Sequence, residues 1–199
     1  SSSSELLTVA AEVPPIAFKL AELFWPGPLT LVLPKAKCVP DLVTAGLPTV
    51  GVRVPAHPVA LALIKSSGCP IAAPSANLFG RPSPTLPEHV VEDLYGRIEL
   101  ILDAGPTHIG VESTVLDITG PTPTILRPGG LPKEALEKVL GKVEVKAGPV
   151  LGPKPSPGLM EKHYAPKASL YLVIGENGAL RSFLREKAEE AVALGIKRG

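Results

Sequence analysis

A serine and an asparagine directly follow a short apolar run in the middle of the sequence. The run from Ile71 to Ala73 ends at Pro74, and Ser75 and Asn77 come next. An apolar run cut by proline predicts a buried strand that ends in a rigid turn. Open α/β sheets bind ligands at such strand ends, where a hydroxyl and an amide can form hydrogen bonds with them. The simpler interpretation is a capped turn in which both side chains satisfy local backbone groups.

Two arginines occur where an anion could be bound. Arg53 lies inside the otherwise apolar run 49–54, which predicts a strand, and a buried arginine ordinarily has an anionic partner. The alternative is an edge strand with Arg53 facing water. Arg127 ends a predicted strand over 124–126 and precedes a glycine turn and a predicted helix. A guanidinium beside exposed backbone N–H groups suits phosphate binding, and the alternative is a surface turn arginine.

The elements that would position these groups alternate along the first 146 residues. Apolar periodicity and proline at helix starts predict helices over 14–25, 58–65, 85–95 and 132–140. Strands are predicted over 29–33, 49–54, 71–73, 98–102, 115–117 and 124–126. Thr85-Leu86-Pro87-Glu88 has the spacing of a capping box, and His57 is expected to cap its helix or face solvent. The alternation predicts one α/β sheet domain over residues 1–146.

A Pro-rich segment separates this domain from the end of the chain. Residues 147–168 open with Ala-Gly-Pro-Val-Leu-Gly-Pro-Lys-Pro-Ser-Pro-Gly, the composition of a semi-rigid linker. The segment continues into His163 and Tyr164, which favours a linker that folds back onto a site. A predicted strand over 170–174 and an amphipathic helix over 188–194 indicate that residues 169–199 begin a second domain.

Composition argues against several classes of protein. The net charge of +1 and the aromatic content of 4% disfavour a protein that binds nucleic acid mainly by bulk charge or by base stacking. Cys38 and Cys69 are far apart and form no Cys-x-x-Cys motif, which fits a reducing, cytoplasmic setting. No apolar run approaches the ~20 residues that cross a bilayer, so no membrane association is expected.

Six segments, in order over about residues 12–167, together resemble the threonylcarbamoyl-AMP synthases, which are YrdC-domain enzymes of tRNA modification. The segments are Phe-Trp-Pro-Gly-Pro-Leu-Thr-Leu-Val-Leu (24–33), Val-Gly-Val-Arg-Val-Pro (50–55), Ala-Pro-Ser-Ala-Asn-Leu-Phe-Gly-Arg-Pro-Ser-Pro (73–84), Val-Glu-Ser-Thr-Val (111–115), Leu-Arg-Pro-Gly (126–129) and Ser-Pro-Gly-Leu-Met-Glu-Lys-His-Tyr-Ala-Pro (156–166). The last of these points to the longer, two-domain branch of the family.

The resemblance implies a fold and an activity. The fold would be a twisted, mixed α/β sheet with flanking helices around a positively lined cavity, followed by the linker and the start of a Rossmann-like domain. The activity would be condensation of L-threonine, bicarbonate and ATP to threonylcarbamoyl-AMP and pyrophosphate. A separate tRNA threonylcarbamoyl transferase complex would then modify the adenosine next to the anticodon, and weak contact with tRNA is a further expectation.

The resemblance also assigns residues, position by position. L-threonine would be held by Thr49, Arg53, Ala73 and Ser113, with Arg53 pairing its carboxylate. ATP would be contacted by Ser75, Asn77, Ser83, Arg127, His163 and Tyr164, the last two closing the site from the linker. Mg²⁺ would accompany ATP, held by phosphates and water, so no protein metal ligand and no catalytic nucleophile is expected.

The sequence departs from the family at its start. A Pro-Thr-Glu-Thr-Val-Tyr-Gly-like segment and a Lys-x-Arg pair that grips phosphates do not occur in it, and it opens on Ser-Ser-Ser-Ser without methionine. We therefore expect residue 1 to be a cut, a processed end or the start of a partial sequence, and the second domain to be incomplete. Residues 1–199 alone could then lack activity.

Two other functions are consistent with a YrdC-like domain. A carbamoyl-transfer enzyme of the hydrogenase-maturation type would carry zinc-finger cysteines or an acylphosphatase-like segment, and this sequence has two isolated cysteines. A non-catalytic RNA-binding module would bind tRNA in a salt-dependent manner without ATP.

Overall fold

The computed structural model describes residues 5–146 and 177–193. The chain divides into two compact units, Ser1–Ala165 and Pro166–Gly199. The predicted linker, with His163 and Tyr164, and the predicted strand over 170–174 lie outside the described residues.

Five strands form one mixed sheet in the first unit. The strands are β1 (Leu29–Pro34), β2 (Thr49–Val52), β3 (Thr114–Asp117), β4 (Thr124–Arg127) and β5 (Glu144–Val145). Their order across the sheet is β2-β1-β3-β4-β5. The β1–β2 and β3–β4 pairs are antiparallel, whereas the β1–β3 and β4–β5 pairs are parallel. The predicted mixed α/β sheet is confirmed.

The helices of the two units are named in chain order. They are α1 (Leu6–Val9), α2 (Pro15–Phe24), α3 (Pro58–Ser67), α4 (Pro87–Leu94), α5 (Lys133–Leu140) and, in the second unit, α6 (Asn177–Ala193). His57 caps α3 by accepting a hydrogen bond from Val59 N–H at 3.3 Å, as expected. Helix α6 contains residues 188–193 of the segment 188–194, which was predicted to be part of an amphipathic helix. Within the described ranges, none of these helices is long and apolar enough to cross a membrane.

The core lies against one face of the sheet. Side chains alternate between the two faces of a strand, and Leu29, Leu31 and Leu33 of β1 are completely buried in the main apolar cluster. The same cluster includes Leu20 of α2 and Leu136 of α5, so both helices cover this face. On the opposite face, the buried apolar side chains form only a small separate cluster of Val32, Val115 and Leu126. That opposite face is therefore the one available for a site.

Two predicted strands are wrong. Residues 71–73 and 98–102 have no strand structure, and Ile71 is 43% exposed while Leu100 is 74% exposed. A strand needs a hydrogen-bonding neighbour, and β1 already has β2 on one side and β3 on the other. In the described sheet only the outer edges of β2 and β5 remain, and neither run pairs with them.

The predicted capping box is also wrong. Helix α4 begins one residue later than the box requires, with Leu86 as its N-cap and no side-chain cap. Proline disfavours helical dihedral angles in the residue before it, and Leu86 accordingly has φ −133° and ψ 152°. Leu86 therefore cannot be the first helical residue after a Thr85 cap. Instead, Thr85 N–H donates to Nδ1 of His89 at 3.4 Å.

Candidate functional site

The face of the sheet opposite the core presents polar groups from β2 and β1. Val52 packs against the main cluster, so strand alternation turns Thr49, Gly51 and Arg53 towards the opposite face. Thr30 of β1 lies beside Gly51, because a Cβ atom built on Gly51 would be 3.2 Å from the Thr30 methyl carbon. The small glycine therefore leaves room for Thr30 on the site face.

The turn after α2 anchors the chain next to Arg53. Gly27 N–H donates to the carbonyl of Val54 at 2.9 Å, and the indole N–H of Trp25 donates to the carbonyl of Leu29 at 2.6 Å. Glycine is required at position 27 because a Cβ atom there would overlap the carbonyl oxygen of Phe24. The Trp-Pro-Gly-Pro motif thus ties the end of α2 both to β1 and to the residue that follows Arg53.

Ser113 is the centre of a hydrogen-bond network on this face. It is 5% exposed, and its Oγ lies 2.8 Å from Oγ1 of Thr30. Arg127 donates from Nη2 to Ser113 Oγ at 3.1 Å and to the Ser113 carbonyl at 3.0 Å, and from Nε to the same carbonyl at 3.2 Å. We call these three residues the Thr30–Ser113–Arg127 network. Sequence reasoning missed Thr30, although a hydroxyl inside an apolar strand is the same kind of signal that singled out Arg53.

The glycine turn after Arg127 packs directly on the backbone that carries Ser113. A Cβ atom on Gly129 would overlap backbone atoms of residues 112–114, so only glycine allows this approach. Gly130 N–H donates to the Glu112 carbonyl at 2.8 Å, and Thr114 Oγ1 bonds both N–H and C=O of Leu131. These contacts fix the strand end that bears Arg127 against the start of β3.

Arg53 and Arg127 are close enough to influence each other electrostatically. Burial of its guanidinium, and then the positive charge of Arg127, lower the pKa of Arg53. Arg53 directly follows β2, an edge strand of the sheet, and its side chain is exposed. This agrees with the alternative considered from the sequence, in which Arg53 faces water. Two like charges that act on each other favour an anion near them.

The polar groups of the segment 75–84 lie in a compact turn. Asn77 donates from Nδ2 to the carbonyls of Leu78 and Arg81, at 2.8 and 3.0 Å. Arg81 N–H closes the turn on the Leu78 carbonyl at 3.1 Å, with Gly80 at a φ of +84°. Asn77 Oδ1 and Ser83 Oγ are buried, and in the described part of the chain neither has a hydrogen-bond partner. Buried polar atoms without partners are uncommon, so these two mark the turn as a place for a further polar contact.

The predicted site residues fall into two groups. Thr49, Arg53, Ser113 and Arg127 belong to the sheet or to its strand ends, and the structure brings Ser113 and Arg127 into direct contact. Ala73, Ser75, Asn77 and Ser83 belong to the segment after α3, where Ala73 and Ser75 lie in exposed, non-strand backbone. His163 and Tyr164 lie outside the described residues.

The site groups are cationic or hydroxylic. Guanidinium and hydroxyl groups suit carboxylates and phosphates, whereas Mg²⁺ prefers carboxylate oxygens. Within residues 5–146 and 177–193, no three His, Cys, Asp or Glu side chains lie together in a way that could hold a metal ion. Both cysteines are free thiols. The fold is thus a mixed α/β domain that carries two arginines and several hydroxyls on one face of its sheet or at the strand ends beside it.

Comparison with known families identifies the domain. A family model for Sua5, YciO and YrdC proteins, described as "Telomere recombination", matches residues 1–129. A second model, described as "Threonylcarbamoyl-AMP synthase, C-terminal domain", matches residues 131–198. The chain belongs to the Sua5/YciO/YrdC family, and its C-terminal part is that of the two-domain members.

Individual relatives agree with this assignment. The chain is 51% identical over 196 residues to the threonylcarbamoyl-AMP synthase of Pyrococcus abyssi, covering 97% of this chain and 56% of that protein. It is 49% identical to the Bacillus subtilis threonylcarbamoyl-AMP synthase, covering 97% of this chain and 57% of that protein. The crystal structure of P. abyssi Sua5 complexed with L-threonine superposes with a TM-score of 0.93 at 49% identity, covering 98% of this chain and 58% of that one. The chain thus spans a little over half the length of these relatives.

Proposed function

We propose that the protein is an L-threonylcarbamoyladenylate synthase, which condenses L-threonine, bicarbonate and ATP and releases pyrophosphate. The observation that supports this most directly is that Arg53 and the Thr30–Ser113–Arg127 network belong to the same face of the sheet, where burial and then the charge of Arg127 lower the pKa of Arg53. This arrangement offers two guanidinium groups and several hydroxyls to a substrate pair that carries one carboxylate and three phosphates. The resemblance to synthases and to a threonine-bound Sua5 structure points the same way.

On the amino-acid side, Arg53 would pair with the carboxylate of L-threonine. Its planar guanidinium can bind a carboxylate through two parallel hydrogen bonds. An anion would also relieve the repulsion from Arg127 that lowers the pKa of Arg53. Ser113 and Thr49 would offer hydroxyls to the substrate's polar groups, and Ala73 would line the pocket through its backbone.

On the nucleotide side, Arg127 would bind the phosphates of ATP. Its three hydrogen bonds to Ser113 hold the guanidinium in one orientation, so a threonine site and a phosphate site would share one rigid support. Ser75, Asn77 and Ser83 would contact the rest of the nucleotide from the segment after α3. The buried atoms Asn77 Oδ1 and Ser83 Oγ would gain partners in this way.

The reaction would depend on positioning and on neutralisation of charge. The threonine amine and bicarbonate give a carbamate and water, and a carbamate oxygen then bonds to the α-phosphorus of ATP as the bond to the β-phosphate oxygen breaks. Arg53 would orient the carbamate-bearing substrate, and Arg127 would stabilise charge on the phosphates. Mg²⁺ bound to ATP would further neutralise the phosphates, and the donor set described above offers it no protein ligand. His163 and Tyr164 would close the site and exclude water from a labile product.

The product implies a downstream partner. A mixed anhydride of a carbamate and AMP is an activated acyl donor, so a tRNA threonylcarbamoyl transferase complex would consume it. We place the reaction in the cytoplasm, where the free thiols of Cys38 and Cys69 would stay reduced. Contact of the protein with tRNA itself would be weak.

The test is calorimetric titration with L-threonine, alone and with a non-hydrolysable ATP analogue and Mg²⁺. Residues 1–199 and a polypeptide of the relatives' length are compared, each with Arg53→Ala and with Arg97→Ala as the matched control. Arg97 is an exposed arginine just after α4. We expect threonine binding that Arg53→Ala abolishes and Arg97→Ala preserves, and pyrophosphate release that requires threonine and bicarbonate. Absence of threonine binding in both wild-type polypeptides would refute the proposal.

A further inference from the structure

One buried acid lies outside the network described above. The buried polar side chains of the described residues are Asp93, Ser113 and Thr114. Ser113 and Thr114 hold Arg127 and the glycine turn on the sheet face. Asp93 is 9% exposed and lies near the end of α4, a helix that has no part in the proposed reaction. A buried carboxylate is costly unless it is paired, so its partners indicate what it is for.

Both oxygens of Asp93 bind the turn that contains Asn77. Oδ2 accepts a hydrogen bond from Leu78 N–H at 3.1 Å, and Oδ1 forms an ion pair with Nη1 of Arg81. Leu78 and Arg81 are the two residues whose carbonyls receive the Asn77 side-chain amide. One carboxylate therefore holds both ends of the turn, and the turn in turn fixes the Asn77 side chain.

The orientation of Asn77 follows from these contacts. Its amide nitrogen is committed to two carbonyls of the turn, and so the oxygen Oδ1 is the atom left to meet a donor. An acceptor in this position suits a hydroxyl or an amino group of a nucleoside better than it suits a phosphate oxygen. The turn thus holds a buried hydrogen-bond acceptor in a defined orientation.

Arg81 differs in kind from Arg53 and Arg127, although it lies in the same predicted site segment. Besides its ion pair with Asp93, it donates from Nη2 to the exposed Glu92 carboxylate at 2.9 Å. These two carboxylates, with the Glu92 hydrogen bond as the largest effect, raise the pKa of Arg81, whereas burial and Arg127 lower the pKa of Arg53. The positive charge of Arg81 is balanced by two carboxylates of the protein itself. This favours a structural role for Arg81 over a role in binding phosphate.

We infer that Asp93 is the positioning residue of the nucleotide side of the site: through Leu78 N–H and Arg81 it fixes the turn that aims Asn77 Oδ1. This inference rests on the proposed function, since it takes the segment 75–84 to contact ATP. Asp93 touches no substrate in this arrangement. Its effect on the nucleotide is exerted through the turn.

The test uses a polypeptide of the relatives' length and two variants that each remove one negative charge beside Arg81. These are Asp93→Asn and the matched control Glu92→Gln. Affinities for a non-hydrolysable ATP analogue and for L-threonine are measured by calorimetry, with melting temperatures alongside. We expect Asp93→Asn to weaken binding of the analogue about tenfold and to change threonine affinity by less than about twofold. Glu92→Gln, which alters an exposed ion pair, should change both affinities by less than about twofold.

Two further measurements test whether Asp93 positions the turn or only stabilises the fold as a whole. Hydrogen exchange at the Leu78 amide should speed up in Asp93→Asn while amides of the sheet keep their protection. Asp93→Glu, which restores the charge, should recover part of the lost affinity for the ATP analogue. Equal losses of ATP and threonine affinity, or unchanged affinity for the analogue in Asp93→Asn, would overturn the inference.

The outcomes also separate this inference from the proposed reaction. A wild-type protein that binds the ATP analogue but releases no pyrophosphate with threonine and bicarbonate would refute the reaction, and the comparison of Asp93→Asn with wild type would still decide the role of Asp93. A wild-type protein that forms threonylcarbamoyl-AMP while Asp93→Asn binds the analogue normally would refute the inference alone. A wild-type protein that binds no nucleotide would refute both.

Discussion

Two regions of the first unit are packed very differently. The sheet region, residues 5–54 and 112–146, contains every buried apolar side chain of the described residues. The middle region, residues 55–111, contains none of them, and it exposes large apolar side chains such as Ile71, Leu100 and Leu102. Helix α3 has no buried residue, and the one buried residue of α4 is the acid Asp93.

This difference divides the candidate site. Ser113 and Arg127 are held by hydrogen bonds at the ends of close-packed strands, whereas Arg53 is an exposed side chain just beyond the edge strand β2. Asn77 lies in a turn held by a few polar contacts, chiefly those of Asp93. The predicted site residues of the sheet region are therefore supported by packed strands, and Asn77 in the middle region is held by hydrogen bonds and an ion pair.

The largest difference in stability is expected between alanine substitutions of two leucines, one in each region. Leu116 is 0% exposed at the centre of the core, whereas Leu100 is 74% exposed in the middle region. Leu116→Ala should lower the free energy of unfolding by about 3 kcal/mol, because it leaves a cavity that the sheet cannot fill. Leu100→Ala should change it by less than about 0.5 kcal/mol. Urea denaturation of both variants checks this, and equal losses would mean that the middle region is packed after all.

Glycine-to-alanine substitutions should also lower the free energy of unfolding more in the sheet region than in the middle region, but by less than the leucine substitution does. A Cβ atom on Gly129 would overlap the backbone of residues 112–114, whereas a Cβ atom on Gly110 would meet nothing within 4 Å. Gly129→Ala should cost about 2 kcal/mol of unfolding free energy and should reduce affinity for the ATP analogue, since it displaces the turn beside Arg127. Gly110→Ala should be close to neutral. A neutral Gly129→Ala in thermal denaturation would contradict the close approach of the two backbones.

Removal of one hydroxyl tests the support of the threonine side. Thr30→Val keeps the shape of the side chain but takes away the partner of Ser113 Oγ at 2.8 Å. We expect a loss of about 1 kcal/mol in unfolding free energy and a fall of about fivefold in threonine affinity. Thr124→Val, which removes a hydroxyl bonded to the Thr122 carbonyl elsewhere in the sheet, is the control. Threonine affinity that responds equally to both variants would exclude a specific role for Thr30.

The smallest effect is expected from a surface ion pair of the sheet region. The hydrogen bond from Lys35, and then its charge, lower the pKa of Asp41 from an ordinary value of 3.8. A carboxyl whose pKa is lower in the folded state stabilises the fold above its unfolded pKa and loses that contribution as pH falls through the folded pKa. Stability of the wild type should therefore fall slightly more than that of Asp41→Asn between roughly pH 6 and pH 3. If chemical denaturation gives wild type and Asp41→Asn the same pH dependence of unfolding free energy, the Lys35–Asp41 ion pair contributes nothing to stability.

The sequence predicted the sheet region well and the middle region poorly, for a physical reason. Strands such as β1 and β3 are buried on both sides by neighbours within the chain, so local apolar patterns and tertiary structure agree. The apolar runs 71–73 and 98–102 have the same local pattern, but strand formation also requires a partner, which a local pattern does not reveal.

Individual residues also show that a local sequence pattern does not reveal distant partners. The roles of Arg53 and Arg127 as anion-binding groups remain predictions, whereas the hydrogen bonds of Arg127 to Ser113 are observed. Thr30 and Asp93 were missed because their importance lies in partners 83 and 15 residues away along the chain. The prediction of a capping box was wrong for a reason visible in the sequence, because Pro87 disfavours helical dihedral angles at Leu86.

The positive charges of Arg53 and Arg127 have a consequence for how this domain is handled. Burial of its guanidinium and the charge of Arg127 both disfavour the charged form of Arg53 before an anion binds. Any anion that binds between them would raise the melting temperature, so sulfate or phosphate in a purification buffer would act as a stabiliser and as a competitor of the substrate.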